Sequence, residues 1–287
     1  MRLITTEDTL RKYIPNVLQT VKGEVPLIDK LTPFLDMAEE WVSQTFTSSA
    51  IFSNIAGYAD ASVIRTYSAK VVVCEAFKNA ISSLDLILTP NGFGIVNNSN
   101  IAPASSERVN RLIDSLEAER DNAIRLLLSS LAEDAAWKQT TQYAYFSATM
   151  FPNIDICDFM GMRNRQWQRY QELRPAIHDI EEYIATQFIG TELMDVLRKE
   201  AMSPSSASSY LMKTVIRSLR AYEAQVLKDR LSTPEPYVCT PPTVLISIVN
   251  TIRTNPDVFP EWHASSMANL YKPALFENRK NDKAYWF

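Results

Sequence analysis

Few residues in this 287-residue chain are of a type and spacing that could do chemistry, and each grouping falls short on its own terms. Asn91-Gly92-Phe93-Gly94 contains a G-x-G step, but the third glycine of a dinucleotide fingerprint is missing, which leaves a tight turn in a loop. Asp155, Cys157 and Asp158 offer two carboxylates and a thiol. No calcium-loop pattern surrounds them, and an acidic first helical turn accounts for them. Glu39-Glu40 and Glu181-Glu182 read as exposed helix charge, because a di-iron bundle would place His three residues after a glutamate and neither pair has it. His178 precedes Glu182 by four residues, an ordinary helical pair, and His263 adjoins Trp262 as a packed or surface residue. Arg163, Arg165 and Arg169 with Trp167 form the one local basic–aromatic cluster. It suits phosphates or an acidic partner surface, and its plainer alternative is a helix start with snorkelling arginines. No catalytic residue, metal site or cofactor is expected.

Composition narrows the field in the same direction. A net charge of −4 argues against a dedicated nucleic-acid binder, which carries a basic field. The 6 glycines are far below the usual share of about 7%, which disfavours phosphate loops and turn-dense β folds. With 2 histidines a multi-histidine metal site is nearly excluded. Cys74, Cys157 and Cys239 are odd in number and lack a CxxC spacing, so reduced thiols in a cytosol are expected, with Cys74 in the core. Neither a secretory leader nor a run of about 18 apolar residues is present to suggest a membrane span.

The elements that must position any site show an internal echo. Leu31, Pro33, Leu35, Glu39, Glu40, Val42 and Phe46 are answered by Leu173, Pro175, Ile177, Glu181, Glu182, Ile184 and Phe188 at a constant offset of 142. Upstream, Ile14-Pro15-Asn16-Val17 is answered by Phe151-Pro152-Asn153-Ile154. Downstream, Tyr67, Lys70 and Val72 are answered by Tyr210, Lys213 and Val215 at 143, and Thr89-Pro90 by Thr233-Pro234 at 144. The pattern predicts a tandem duplication, with one helical-bundle half over 1–138 and a similar half over 139–287. Two copies are too few for a solenoid.

Within each half the apolar spacing is helical. Leu31 to Phe46 share one face; Asp60 is a candidate cap for a helix carrying Ile64, Tyr67, Val71, Ile81, Leu84 and Leu88. After Ser105 a long helix carries Val109, Leu116, Ile124, Leu127 and Leu131, with Glu117, Glu119, Arg120, Asp121 and Arg125 read as its solvated face. In the second half, helices are expected over about 172–188, from Tyr210 through Leu219 to Val226, and from Val244 to Ile252. The fold class is therefore all-α, with room for a short hairpin in the loops.

The segment 89–104 is long for a connection and carries apolar Phe93, Ile95, Val96 and Ile101, and the C-terminus ends in Tyr285, Trp286 and Phe287. Both are expected to dock on the body or on a partner. Three stretches together, the segment 88–121, Phe151-Pro152-Asn153-Ile154 and Asn281 to Phe287, resemble a family of helical proteins encoded in prophages of Bacteroidetes. The resemblance implies a virion structural role, such as a head–tail connector or head-completion protein, made in the bacterial host cytoplasm and carried into the virion. Its partners would be other virion proteins or copies of itself, with no membrane and no sequence-specific nucleic acid. The family supplies no catalytic residues to carry over. A cytosolic helical binding module is the alternative reading, and an enzyme with an unrecognised site is a weaker one.

Overall fold

The computed structural model describes residues 2–14, 25–84, 86–89, 92–95, 105–205, 208–232 and 243–271. The chain is all-α, with one short hairpin among the described residues. The helices are α1 (Glu7–Arg11), α2 (Leu27–Val42), α3 (Ser49–Gly57) and α4 (Val63–Leu84), then α5 (Ser106–Leu131), α6 (Thr141–Phe146), α7 (Asp155–Met160) and α8 (Gln166–Ile184). They are followed by α9 (Thr191–Met202), α10 (Tyr210–Ser232), α11 (Thr243–Arg253), α12 (Pro260–Ala264) and α13 (Ser266–Leu270). Strands β1 (Leu86–Thr89) and β2 (Gly92–Ile95) pair antiparallel between α4 and α5, with Leu86 opposite Ile95 and Thr89 opposite Gly92.

Two compact units result, one of residues 1–175 with 201–204 and one of 176–200 with 205–287. The first therefore extends beyond residue 138. Its later segments are held by an aromatic cluster in which Phe46 stacks on Phe146 at 6.0 Å and lies 4.9 Å from Trp167.

In the first unit α2 buries Leu31, Leu35, Ala38 and Val42, the stripe that the helical spacing predicts. It packs on α4, which packs in turn on α5. Covered by two neighbours, α4 buries four consecutive residues, Val71 to Cys74, which a one-sided helix would not do. Its start differs from expectation: α4 opens at Val63, and Asp60 pairs with Lys12 at 3.2 Å and Arg65 at 3.3 Å instead of capping it. Leu88, read as part of the same helical stripe, lies in β1. The run Leu86-Ile87-Leu88-Thr89 before Pro90 favours an extended backbone over another helical turn.

The larger correction concerns α5. Arg120 and Asp121, read as a solvated face, are 4% and 1% exposed. Arg120 donates to Asp121 Oδ1 through Nε at 2.9 Å and Nη2 at 2.7 Å, and to Glu75 on α4 at 2.6 Å. Asp121 Oδ2 accepts from the backbone N–H of Trp167 at 3.1 Å, so it also satisfies a free donor at the start of α8.

The second unit buries Ile177, Ile180 and Ile184 of α8, Leu193 and Leu197 of α9, Val215 and Leu219 of α10, and Leu245, Ile248, Val249 and Ile252 of α11. Tyr210, placed by its spacing in that stripe, is the first residue of α10 and is 86% exposed.

One local geometry occurs in both units. Each of α2 and α8 runs into a single π-turn, Ser43–Thr47 and Ala185–Ile189, closed by Ser48 N to Ser43 O at 2.8 Å and Gly190 N to Ala185 O at 2.9 Å. The residue after each turn has positive φ: 104° with ψ 154° at Ser48, 83° with ψ 150° at Gly190. In each unit a tryptophan indole donates to a carbonyl within the π-turn, Trp137 to Phe46 and Trp262 to Phe188. Three residues after each tryptophan a hydroxyl, Thr140 Oγ1 or Ser265 Oγ, donates to that tryptophan's carbonyl at 2.7 Å, and α6 or α13 begins. Residues 43–48 and 185–190 stand at the offset of 142 found in the sequence.

Candidate functional site

The residues singled out from the sequence fall in different settings. Arg163 and Arg165 are exposed in the turn before α8. Arg165 has φ 51° and approaches Glu117 at 3.6 Å. Trp167, read as the aromatic member of their contact surface, is instead buried, because its ring fills the cluster of Trp41, Phe46, Phe146 and Tyr170. The N–H that could have met an anion there is taken by Asp121. Phe93 and Ile95 lie in β2, their backbones paired with Leu88 and Leu86. Val96, Ile101, Tyr285, Trp286 and Phe287 lie outside the described residues.

The acidic candidates resolve into structural pairs. Asp155 and Asp158 open α7 and face Arg125 at 3.9 and 2.9 Å. Among the described residues no cluster of three His, Cys, Asp or Glu could hold a metal. Glu39 and Glu181 are not the exposed charges expected. Glu39 is half-buried and accepts from Leu3 N at 2.7 Å. Glu181 is fully buried in the second unit and accepts from Arg198 Nε at 2.7 Å. Beside it Glu223 is also fully buried, and neither of its carboxylate oxygens has a hydrogen-bond partner. Burial, then the charge of Glu181, push the Glu223 carboxyl well above its usual range against the opposing pull of Arg220 and Arg198. In the first unit burial also works to raise Glu75, but Arg120 and Lys78 outweigh it and hold the carboxyl below its usual value.

An open cleft of about 360 Å³ lies in the first unit, where the π-turn meets α6 and α8. Gln44 and Thr45 come from the turn, Thr141, Gln142 and Tyr145 from α6, and Gln171 from α8. Sequence reasoning missed it, since its lining comes from three distant stretches and none carries a motif. A π-turn frees carbonyls that a regular helix would occupy. Here Gln142 Nε2 takes that of Gln44 at 2.9 Å, and Trp137 that of Phe46 at 2.7 Å. The Tyr145 hydroxyl donates to Gln171 Oε1 at 3.2 Å, while Gln171 Nε2 is buried without an acceptor. The guanidinium of Arg174 lies 3.6 Å from the centre of the Tyr145 ring, donates to the Tyr145 carbonyl and to the Tyr170 hydroxyl at 2.7 Å, and so fixes the tyrosine. Every lining group is a neutral amide, hydroxyl or phenol. None of its lining side chains is a base or nucleophile activated by a neighbour.

Among the described residues no helix is long and apolar enough to cross a membrane. No curated protein and no solved structure matches the chain. A family model described as a family of unknown function, DUF6712, matches residues 14–147, just under half of the chain and all within the first unit.

Proposed function

We propose that the protein is a virion structural protein, a head–tail connector or head-completion subunit acting by assembly, and that its halves 1–138 and 139–287 are tandem copies of one helix–π-turn–helix module. The observation that carries this reading is the recurrence of the π-turn and its positive-φ residue at the sequence offset of 142, each turn latched by a tryptophan, Trp137 and Trp262, that stand 125 apart. Two similar but unequal modules suit a ring subunit, which must present two different faces to its neighbours. Contact residues are Phe93, Ile95, Val96 and Ile101, the exposed Arg163 and Arg165, and the terminal Tyr285, Trp286 and Phe287. Trp167, which is buried, supports the fold. The neutral cleft fits a role in recognition better than one in turnover.

The test is mass photometry and negative-stain microscopy of the full chain, with mass spectrometry of purified particles. Ring-shaped or other defined oligomers and presence in particles are expected. A chain that stays monomeric at high concentration and is absent from particles would overturn the reading.

A further inference from the structure

We infer that the second unit carries a proton-operated switch: it stays closed while Glu223 holds a proton, and rising pH opens it ahead of the first unit. The device lies within the second unit, so it does not depend on the assembly role.

Four charged side chains from three helices meet there: Glu181 of α8, Arg198 of α9, and Arg220 and Glu223 of α10. Both glutamates are fully buried. Two nitrogens of Arg198 are committed to carboxylates, Nε to Glu181 at 2.7 Å and Nη1 to Asp195 at 3.4 Å. Its third, Nη2, is buried without an acceptor, and both oxygens of Glu223 are buried without a donor. The cluster thus holds one complete pair, Glu181 with Arg198, and a carboxyl left over. Helix α11, which packs on α10, brings it no charge: it buries Leu245, Ile248, Val249 and Ile252, and its one charged residue, Arg253, is exposed.

A buried carboxyl without donors is least costly in its neutral form. Ionised, Glu223 would be a buried charge beside a second carboxylate, with no hydrogen bond to receive it. Burial first, and Glu181 second, therefore favour the proton against the pull of Arg220 and Arg198. Opening the unit exposes the carboxyl to water, where it ionises near pH 4.5. Each opening between that pH and the folded value releases a proton, so the open fraction rises about ten-fold per pH unit.

The first unit holds a buried cluster of the opposite character. Each carboxylate oxygen of Glu75 and Asp121 accepts a hydrogen bond: on Glu75 from Asn79 at 3.1 Å and Arg120 at 2.6 Å, on Asp121 from Arg120 at 2.7 Å and the Trp167 N–H at 3.1 Å. Burial alone would raise Glu75, but Arg120 and Lys78 hold it low. The stability it contributes is lost as pH falls and is complete above the unfolded value, so alkali leaves it intact. Glu39 on α2 is raised by burial, but it is half-buried and accepts from Leu3 N at 2.7 Å, so it loses less on ionising. Rising pH therefore bears chiefly on the second unit.

Hydrogen-exchange mass spectrometry of the full chain from about pH 5 to pH 8, with each rate divided by the intrinsic rate at that pH, tests the inference. Protection of α9 and α10 is expected to fall about ten-fold or more across the range, and that of α4 and α5 by about three-fold at most. In Glu223→Gln the fall in α9 and α10 should disappear. If that variant fails to fold, the contrast between the two units of the unsubstituted protein decides. Equal loss in both units, constant protection of α9 and α10, or a fall that persists in Glu223→Gln would overturn the inference.

Discussion

The indole Nε1 of Trp137 donates to the carbonyl oxygen of Phe46 at 2.7 Å, spanning 91 positions of the chain. The bond is buried and satisfies a carbonyl that the π-turn releases. Trp137→Phe removes the donor, leaves that carbonyl unpaired and opens a small cavity. A loss of about 2–4 kcal/mol is expected in urea unfolding followed by circular dichroism. Trp262→Phe should cost less, because the corresponding bond to Phe188 is longer at 3.3 Å and only part-buried. Equal losses would contradict this account of the latch.

Ser48 and Gly190 offer a paired test of backbone strain. Ser48→Gly relieves a conformation that costs a side-chain-bearing residue about 1–3 kcal/mol, and gives up only a long cap bond to Ile51 N at 3.4 Å. A net gain of about 1 kcal/mol is expected. Gly190→Ala should lose a comparable amount, chiefly through its φ of 83°, since the nearest atoms to an added Cβ lie at 3.4 Å. Differential scanning calorimetry of both variants reads the two signs.

The pH dependence of stability follows from Glu223. Its carboxyl is raised in the folded state, so the folded protein holds that proton more tightly than the unfolded chain does. The contribution is complete below the unfolded value, near 4.5, and is lost as pH rises toward the folded one. The facing groups are Glu181, Arg198 and Arg220. Glu223→Gln removes the ionisation and should flatten the decline between pH 5 and pH 9, with a gain of about 1 kcal/mol or more at the alkaline end. Parallel unfolding curves for the two proteins across that range would rule this out.

Much of the helical frame is legible in the sequence, and the reasons for the remainder are physical. Leu31, Leu35, Ala38 and Val42 could be read because a helix buried on one side repeats every 3.6 residues. Arg120 and Asp121 could not, because charge signals solvent until a second helix covers it and supplies partners. Glu181 misleads for the same reason, its partner Arg198 lying on another helix. Leu88 fits a helical stripe by spacing alone, while its neighbours and Pro90 favour a strand. The π-turns have no sequence signature. The cleft that the first of them helps to form joins residues 44–45, 141–145 and 171, which no local pattern connects.

The cysteines give a chemical check on the core. Burial pushes the thiols of Cys74 and Cys157 up to about 12. Both should resist iodoacetamide in the native protein at pH 8 and react fully once the chain is unfolded, as read by mass spectrometry. Rapid native alkylation of either would mean that the unit around it opens readily.

The π-turns bear on the order of events in the lineage of this chain. A helix that closes one turn with five residues in place of four holds a single surplus amino acid, and both units hold theirs immediately before the positive-φ residue. On the proposed duplication, that surplus was inherited from one parent and not acquired twice. Excising one residue from 43–47 would restore ordinary winding, rotate all that follows by about 100° and carry the Phe46 carbonyl away from its indole. A feature that resembles a defect would then be the oldest fixed point in the molecule.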